Sequence, residues 1–276
     1  MIAEGRSTGG RIWDAADGGD PVRLGTLLRS PVLRGDDVNF EGYTFDTPLY
    51  RAVRRGAVEC VRMLLAHPYV DVNLRSEGLT ALDCAVTQPD TLEALEVLKM
   101  LCVHPLLKFD PVDRCGITPL WRACHRDNMN HVRVLLASAP VGTLNLLAHS
   151  ARNGLWDGKT TFEVTWHDPT RELLKLYSVD PAAVRCQLRE APDLGLRLHD
   201  AASDFASVVL LSDDFLSLTA GVYNPARQFL AIIARLPMEL QMSLCHRRHG
   251  SGGLVIMIRD TDQALKRFAL QHSSES

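Results

Sequence analysis

A short phrase that returns along the chain restricts its fold more than any other feature. Thr47-Pro48-Leu49-Tyr50-Arg51-Ala52-Val53 reappears as Thr80-Ala81-Leu82-Asp83-Cys84-Ala85-Val86, and again as Thr118-Pro119-Leu120-Trp121-Arg122-Ala123. Each phrase predicts the start of a short helix. The Thr hydroxyl can accept a backbone N–H of the first turn, and Pro at the first helical position sacrifices no hydrogen bond. Leu and Ala then recur at helical spacing. A second apolar series follows each opening: Val58, Val61, Leu64 and Leu65; Val97, Leu98 and Leu101; Val132, Val134, Leu135 and Leu136. Gly56 permits the reversal between the two helices of the first pair. Helices this short are marginal alone in water. They persist only by stacking on copies of themselves.

The interval from Thr47 to Thr80 is the period of the ankyrin repeat, and the next interval is a little longer. With the Thr-Pro-Leu opening and the Asp-Val-Asn close at Asp71-Val72-Asn73, the chain resembles the ankyrin-repeat family. The resemblance covers roughly residues 10 to 140 and implies an all-α solenoid of paired antiparallel helices joined by hairpin loops. Residues 1–9 read as a disordered tail. Ile12 to Asp20 with Val22, Leu24, Leu27 and Leu28 read as a capping repeat, ahead of three full ones. Ser30 to Asp37 is a small insertion. His67-Pro68, His104-Pro105 and Ala139-Pro140 each stop an outer helix, since a residue before Pro is pushed out of the α region. The glycine expected two residues before Thr47 is Phe45, so that hairpin tip must be built differently. Residues 141–179 read as a worn fourth repeat around Gly158-Lys159-Thr160, 180–195 as a linker or short helices, and 196–276 as a separate helical region.

Composition narrows the function classes. The 276 residues carry a net charge of −3, which argues against a global nucleic-acid or membrane-surface role. The longest apolar run, Leu254 to Ile258, is too short to span a bilayer, and Met1 to Arg6 offers no secretory core. Seven cysteines without a Cys-x-x-Cys pair fit free thiols in a cytoplasmic or nuclear setting.

No motif amounts to an active site, and no cofactor or metal is expected. Cys124-His125 and Cys245-His246 are adjacent on helices, so their side chains diverge by about 100°. His246-Arg247-Arg248-His249 reads as favourable charge at a helix C-terminus. Gly250-Ser251-Gly252-Gly253 lacks the Lys-Ser/Thr of a phosphate loop. Ser212-Asp213-Asp214 lacks a partner at metal-ligand spacing.

The family resemblance implies protein binding through hairpin tips and the concave face of the inner helices. Carried over position by position, the inner-helix residues are Arg51, Arg54 and Arg55; then Cys84, Thr87 and Gln88; then Arg122, His125 and Arg126. The tip residues are Tyr43 and Thr44, Ser76 and Glu77, and Arg114 and Cys115. Two readings follow for the five inner-helix arginines. They are solvated charges, or they form a groove for an acidic segment of another protein, with Trp121 or Tyr43 as aromatic anchor. Separately, Leu236-Pro237-Met238-Glu239-Leu240 loosely resembles the opening of an F-box, which implies a substrate receptor of a ubiquitin ligase. The oligomeric state is not legible.

Overall fold

The computed structural model describes residues 7–42, 45–146 and 158–196. The expectations placed on Tyr43, Thr44 and residues 197–276, including the F-box-like opening and the basic cluster, lie outside the described residues. The chain divides into two compact units, Met1–Leu188 and Arg189–Ser276. Of the second, the described part holds the 3-10 turn Pro192–Leu194.

The first unit is a stack of helix pairs. Helices α1 (Thr8–Asp17) and α2 (Pro21–Leu28) form the first pair, followed by the single turn α3 (Gly35–Val38). The next pairs are α4 (Pro48–Arg55) with α5 (Val58–Leu65), α6 (Ala81–Val86) with α7 (Leu92–Cys102), and α8 (Pro119–His125) with α9 (Met129–Ser138). The stack continues through the short α10 (Thr161–Val164) and α11 (Asp168–Val179), and α12 (Pro181–Glu190) follows. Inner helices pack on inner helices from α1 through α4, α6 and α8 to α10. Outer helices do the same from α2 through α5, α7 and α9 to α11. Leu24, Leu64, Leu82, Leu98, Leu120, Leu135 and Leu174 are fully buried between them.

The recurring threonines have the predicted role. Thr47, Thr80 and Thr118 accept the N–H of Tyr50, Asp83 and Trp121, each at 3.2 Å, and Thr160 accepts that of Glu163 at 3.4 Å. The carboxylates of Asp83 and Glu163 accept the threonine N–H in return, closing capping boxes. The residue two before each of these four threonines is left-handed. It is Gly78 (φ +92°), Gly116 (φ +76°), Gly158 (φ +68°) and, in the first full repeat, Phe45 (φ +53°). In the second, Glu77 and Gly78 turn a two-residue hairpin between β1 (Arg75–Ser76) and β2 (Leu79–Thr80), with Arg75 opposite Thr80.

Asparagines tie each repeat to the next. Asn39 donates to the Tyr69 carbonyl at 2.7 Å and accepts from the Asp71 N–H at 2.9 Å. Asn73 makes the same pair of bonds to Leu106 and Lys108, at 2.7 and 2.9 Å.

One boundary differs from expectation. The helix α1 begins at Thr8, capped by Ser7, so residues 8 and 9 are not tail. Gly9 is needed there, because a Cβ on it would lie 2.7 Å from Phe40. The stretch read as a linker or short helices holds α12, whose Val184 and Leu188 are buried and whose Arg185 Nε donates to the Ala137 carbonyl at 3.1 Å.

Candidate partner-binding surface

The inner helices present three turns of side chain at matching register. In the row four residues after the capping threonine stand Arg51, Cys84 and Arg122. In the next turn stand Arg54, Thr87 and His125, then Arg55, Gln88 and Arg126. The structure separates the five arginines into two groups.

Arg51 and Arg122 are held by carboxylates of the chain itself. Arg51 Nε lies 2.6 Å from Asp46 and its Nη1 3.4 Å from Asp17, while its guanidinium sits 4.8 Å over the Trp13 ring. Arg122 bridges Asp113 and the buried Asp83, the latter at 3.4 Å. Asp83 has its pKa raised by burial, against which its bonds to Thr80 and the charge of Arg122 act. Arg55, more than half exposed, reaches Asp17 at 3.3 Å. Arg54 and Arg126 are exposed and make no ion pair among the described residues. The surface thus offers two free guanidiniums where five were expected. Asp17, Asp46, Asp83 and Asp113 account for the difference.

Trp121 is not an exposed anchor. It is 3% exposed, its Nε1 donates to the Lys159 carbonyl at 3.0 Å, and its ring stacks on His125 at 5.2 Å. Trp13 repeats the arrangement, donating to the Asp46 carbonyl at 3.0 Å. An aromatic at either position faces the following repeat, so it joins repeats rather than meeting a partner. Cys84 and Ser76, expected at the surface, are also buried; Ser76 Oγ accepts the Thr47 N–H at 3.1 Å. Glu77, Arg114 and Cys115 are exposed at the tips as expected. Arg114 lies across the neighbouring tip, its Nε 3.6 Å from where a Gly78 Cβ would stand.

Sequence reasoning passed over Phe45 as a surface residue. It is 70% exposed at the first tip, its backbone held left-handed by bonds from the Phe45 N–H to Gly42 (3.0 Å) and from the Gly42 N–H to Asp46 (2.9 Å). The missing glycine was the signal.

The buried thiols of the array are held in their neutral form. Burial pushes the Cys124 thiol up to about 12, which keeps it a thiol at neutral pH. His125, partly buried against Trp121 and beside the charges of Arg126 and Arg122, has its pKa lowered, chiefly by desolvation. Cys60 and Cys84 are pushed up to about 11 and Cys102 to about 12 by the same desolvation. Among the described residues no group of three His, Cys, Asp or Glu is placed to hold a metal, and no helix is long and apolar enough to cross a membrane.

Residues 13–104 match the family described as ankyrin repeats (3 copies), and residues 115–146 match a further ankyrin repeat. The chain is an ankyrin-repeat protein. It is 33% identical over 133 residues to ankyrin repeat and SOCS box protein 11 of Danio rerio. That match takes in 47% of this chain and 39% of the relative, so the chain spans well under half the relative's length. Ankyrin repeats are interaction modules for other proteins, and the family is typically non-catalytic.

Proposed function

We propose that the protein is a docking module that takes an acidic segment of another protein along the surface formed by its inner helices and hairpin tips. The observation that carries this reading is the pair Arg54 and Arg126. Both are exposed on inner helices, and neither meets a carboxylate among the described residues, whereas Arg51, Arg55 and Arg122 each do. A free guanidinium keeps its planar donors available for bidentate bonds to a carboxylate. A peptide library displayed on phage and selected on the wild-type chain should enrich Asp and Glu. The double variant R54E/R126E should lose that enrichment while its circular-dichroism spectrum and melting temperature stay put, exposed substitutions being worth within about 0.5 kcal/mol. An unchanged pool from the double variant would dispose of the reading.

A second reading rests on the Danio rerio relative, whose name joins ankyrin repeats to a SOCS box. In it the protein is a substrate receptor of a ubiquitin ligase, with the array holding substrate and residues beyond it, including Leu236 to Leu240, engaging the ligase. The full chain expressed in cells should then co-purify ligase adaptor subunits, and a chain ending at residue 188 should not. Equal recovery by both chains, or none by either, speaks against it.

A further inference from the structure

Phe45 stands at a position that the other repeats give to glycine. Gly78, Gly116 and Gly158 occupy it with φ between +68° and +92°, a region that costs glycine nothing. Phe45 adopts φ +53° there, a genuine departure for a residue with a bulky side chain. Two further facts deepen the anomaly. The ring gains nothing from the fold, being 70% exposed to water. The ring also has no part in the bonds around it: the Phe45 N–H donates to the Gly42 carbonyl, the Gly42 N–H to the Asp46 carbonyl, and Asp46 pairs with Arg51. Backbone strain of this kind persists where the surroundings enforce it, and it clusters at sites that bind.

We infer that Phe45 is the apolar anchor of the docking surface, and that it selects partner segments carrying an apolar side chain close to a carboxylate. The inference rests on the docking reading above and adds to it the second half of the recognised chemistry. The Asp46–Arg51 pair ties the tip to α4, and Arg54 lies one turn beyond Arg51 on the same helix. From Thr47 to Arg54 the helix rises about 10 Å, at about 1.5 Å per residue, and the two residues from Phe45 to Thr47 add up to about 7 Å. An extended segment covers about 10 to 17 Å in about three to five residues. The preferred sequence is therefore an apolar residue with Asp or Glu about three to five positions away. An exposed aromatic beside an arginine has the composition of an interface hot spot.

The test uses the full chain and peptides selected from a phage-displayed random library, measured by fluorescence polarisation with thermal melts run alongside. The wild-type pool should show apolar and acidic positions about three to five apart. Phe45→Asn keeps a residue that tolerates the left-handed region but removes the ring. It should weaken the selected peptide at least tenfold, with the melting temperature equal or higher. Phe45→Gly should do the same and raise the melting temperature by a few degrees. Phe45→Tyr should retain binding. Peptide affinity unchanged in both Phe45→Asn and Phe45→Gly, or a melting temperature that falls in both, overturns the inference. If those variants bind normally while R54E/R126E does not, the docking reading stands and the role of Phe45 falls. A wild-type selection that yields no binder removes both.

Discussion

At the scale of single residues, the junction between the second and third full repeats departs from those before it. Asn39 and Asn73 each donate and accept across a junction. The next junction has Asp110, which accepts from the Asn145 backbone N–H while its Oδ1 is buried without a hydrogen bond. An ionised carboxylate has nothing to donate, and burial raises the pKa of Asp110 above its ordinary 3.8. A raised carboxyl pKa means that the folded chain holds this proton more tightly than the unfolded one. That contribution to stability is complete below 3.8 and disappears as pH climbs through the folded value. Asp110→Asn supplies the missing donor and removes the titration. At pH 7 it should stabilise by about 0.5 kcal/mol, the low end of a hydrogen bond's net worth, because the residue is only partly buried and water screens it. Urea denaturation at pH 7 and pH 4 measures this, and the gain should shrink towards the acid end. A gain that does not depend on pH would mean that the carboxyl's titration has no part in it.

At the scale of elements, the openings were legible because cap chemistry is local. Thr followed by Pro or Ala and then Leu specifies an N-cap, a first turn and a buried face within one turn of helix. Thr118 is the most stringent case, being fully buried with its hydroxyl on the Trp121 N–H. Thr118→Ala should cost about 1–2 kcal/mol, and Thr118→Ser should recover most of it. Equal losses in both variants would show that the methyl group, not the hydroxyl, holds the position. Helix α12 carries a similar signal: Asp180 accepts the Ala183 N–H at 2.9 Å ahead of Pro181. The start of α1 was hidden for the opposite reason. Gly9 and Gly10 carry the poorest helix propensity short of proline, and Gly9 stands where Phe40 leaves no room for a side chain. The arginine pairs were illegible because their partners lie outside the helix that carries them. Asp17 and Asp46 reach Arg51, and Asp83 and Asp113 reach Arg122, contacts fixed by stacking and tip geometry and not by spacing within a helix.

At the scale of the whole array, stability is a sum of repeat and junction contributions, so the last repeat protects the one before it. Two tryptophans at similar places make this measurable. Trp13 is covered by the repeat that follows it, its indole donating to Asp46 and lying against Gly42, where a Cβ would collide with the ring. Trp121 is covered by the next repeat in turn, its indole donating to Lys159 just ahead of α10, which packs on α8. A chain ending at residue 146 keeps both tryptophans and removes the cover from Trp121 alone. It also strips Arg185 from the Ala137 carbonyl and Thr170 from Met129. The emission comparison uses full-length chains in which Trp156 and Trp166 are replaced by Phe, so that both lengths report on the same two indoles. The truncated chain should melt at a lower temperature, and with Trp13→Phe added its emission should shift to the red of the full-length counterpart. With Trp121→Phe added instead, the two lengths should emit alike, because the remaining indole sits at the far end of the array. If truncation leaves the Trp121 emission and the melting temperature unchanged, α10 and α11 contribute no junction energy and the array ends at α9.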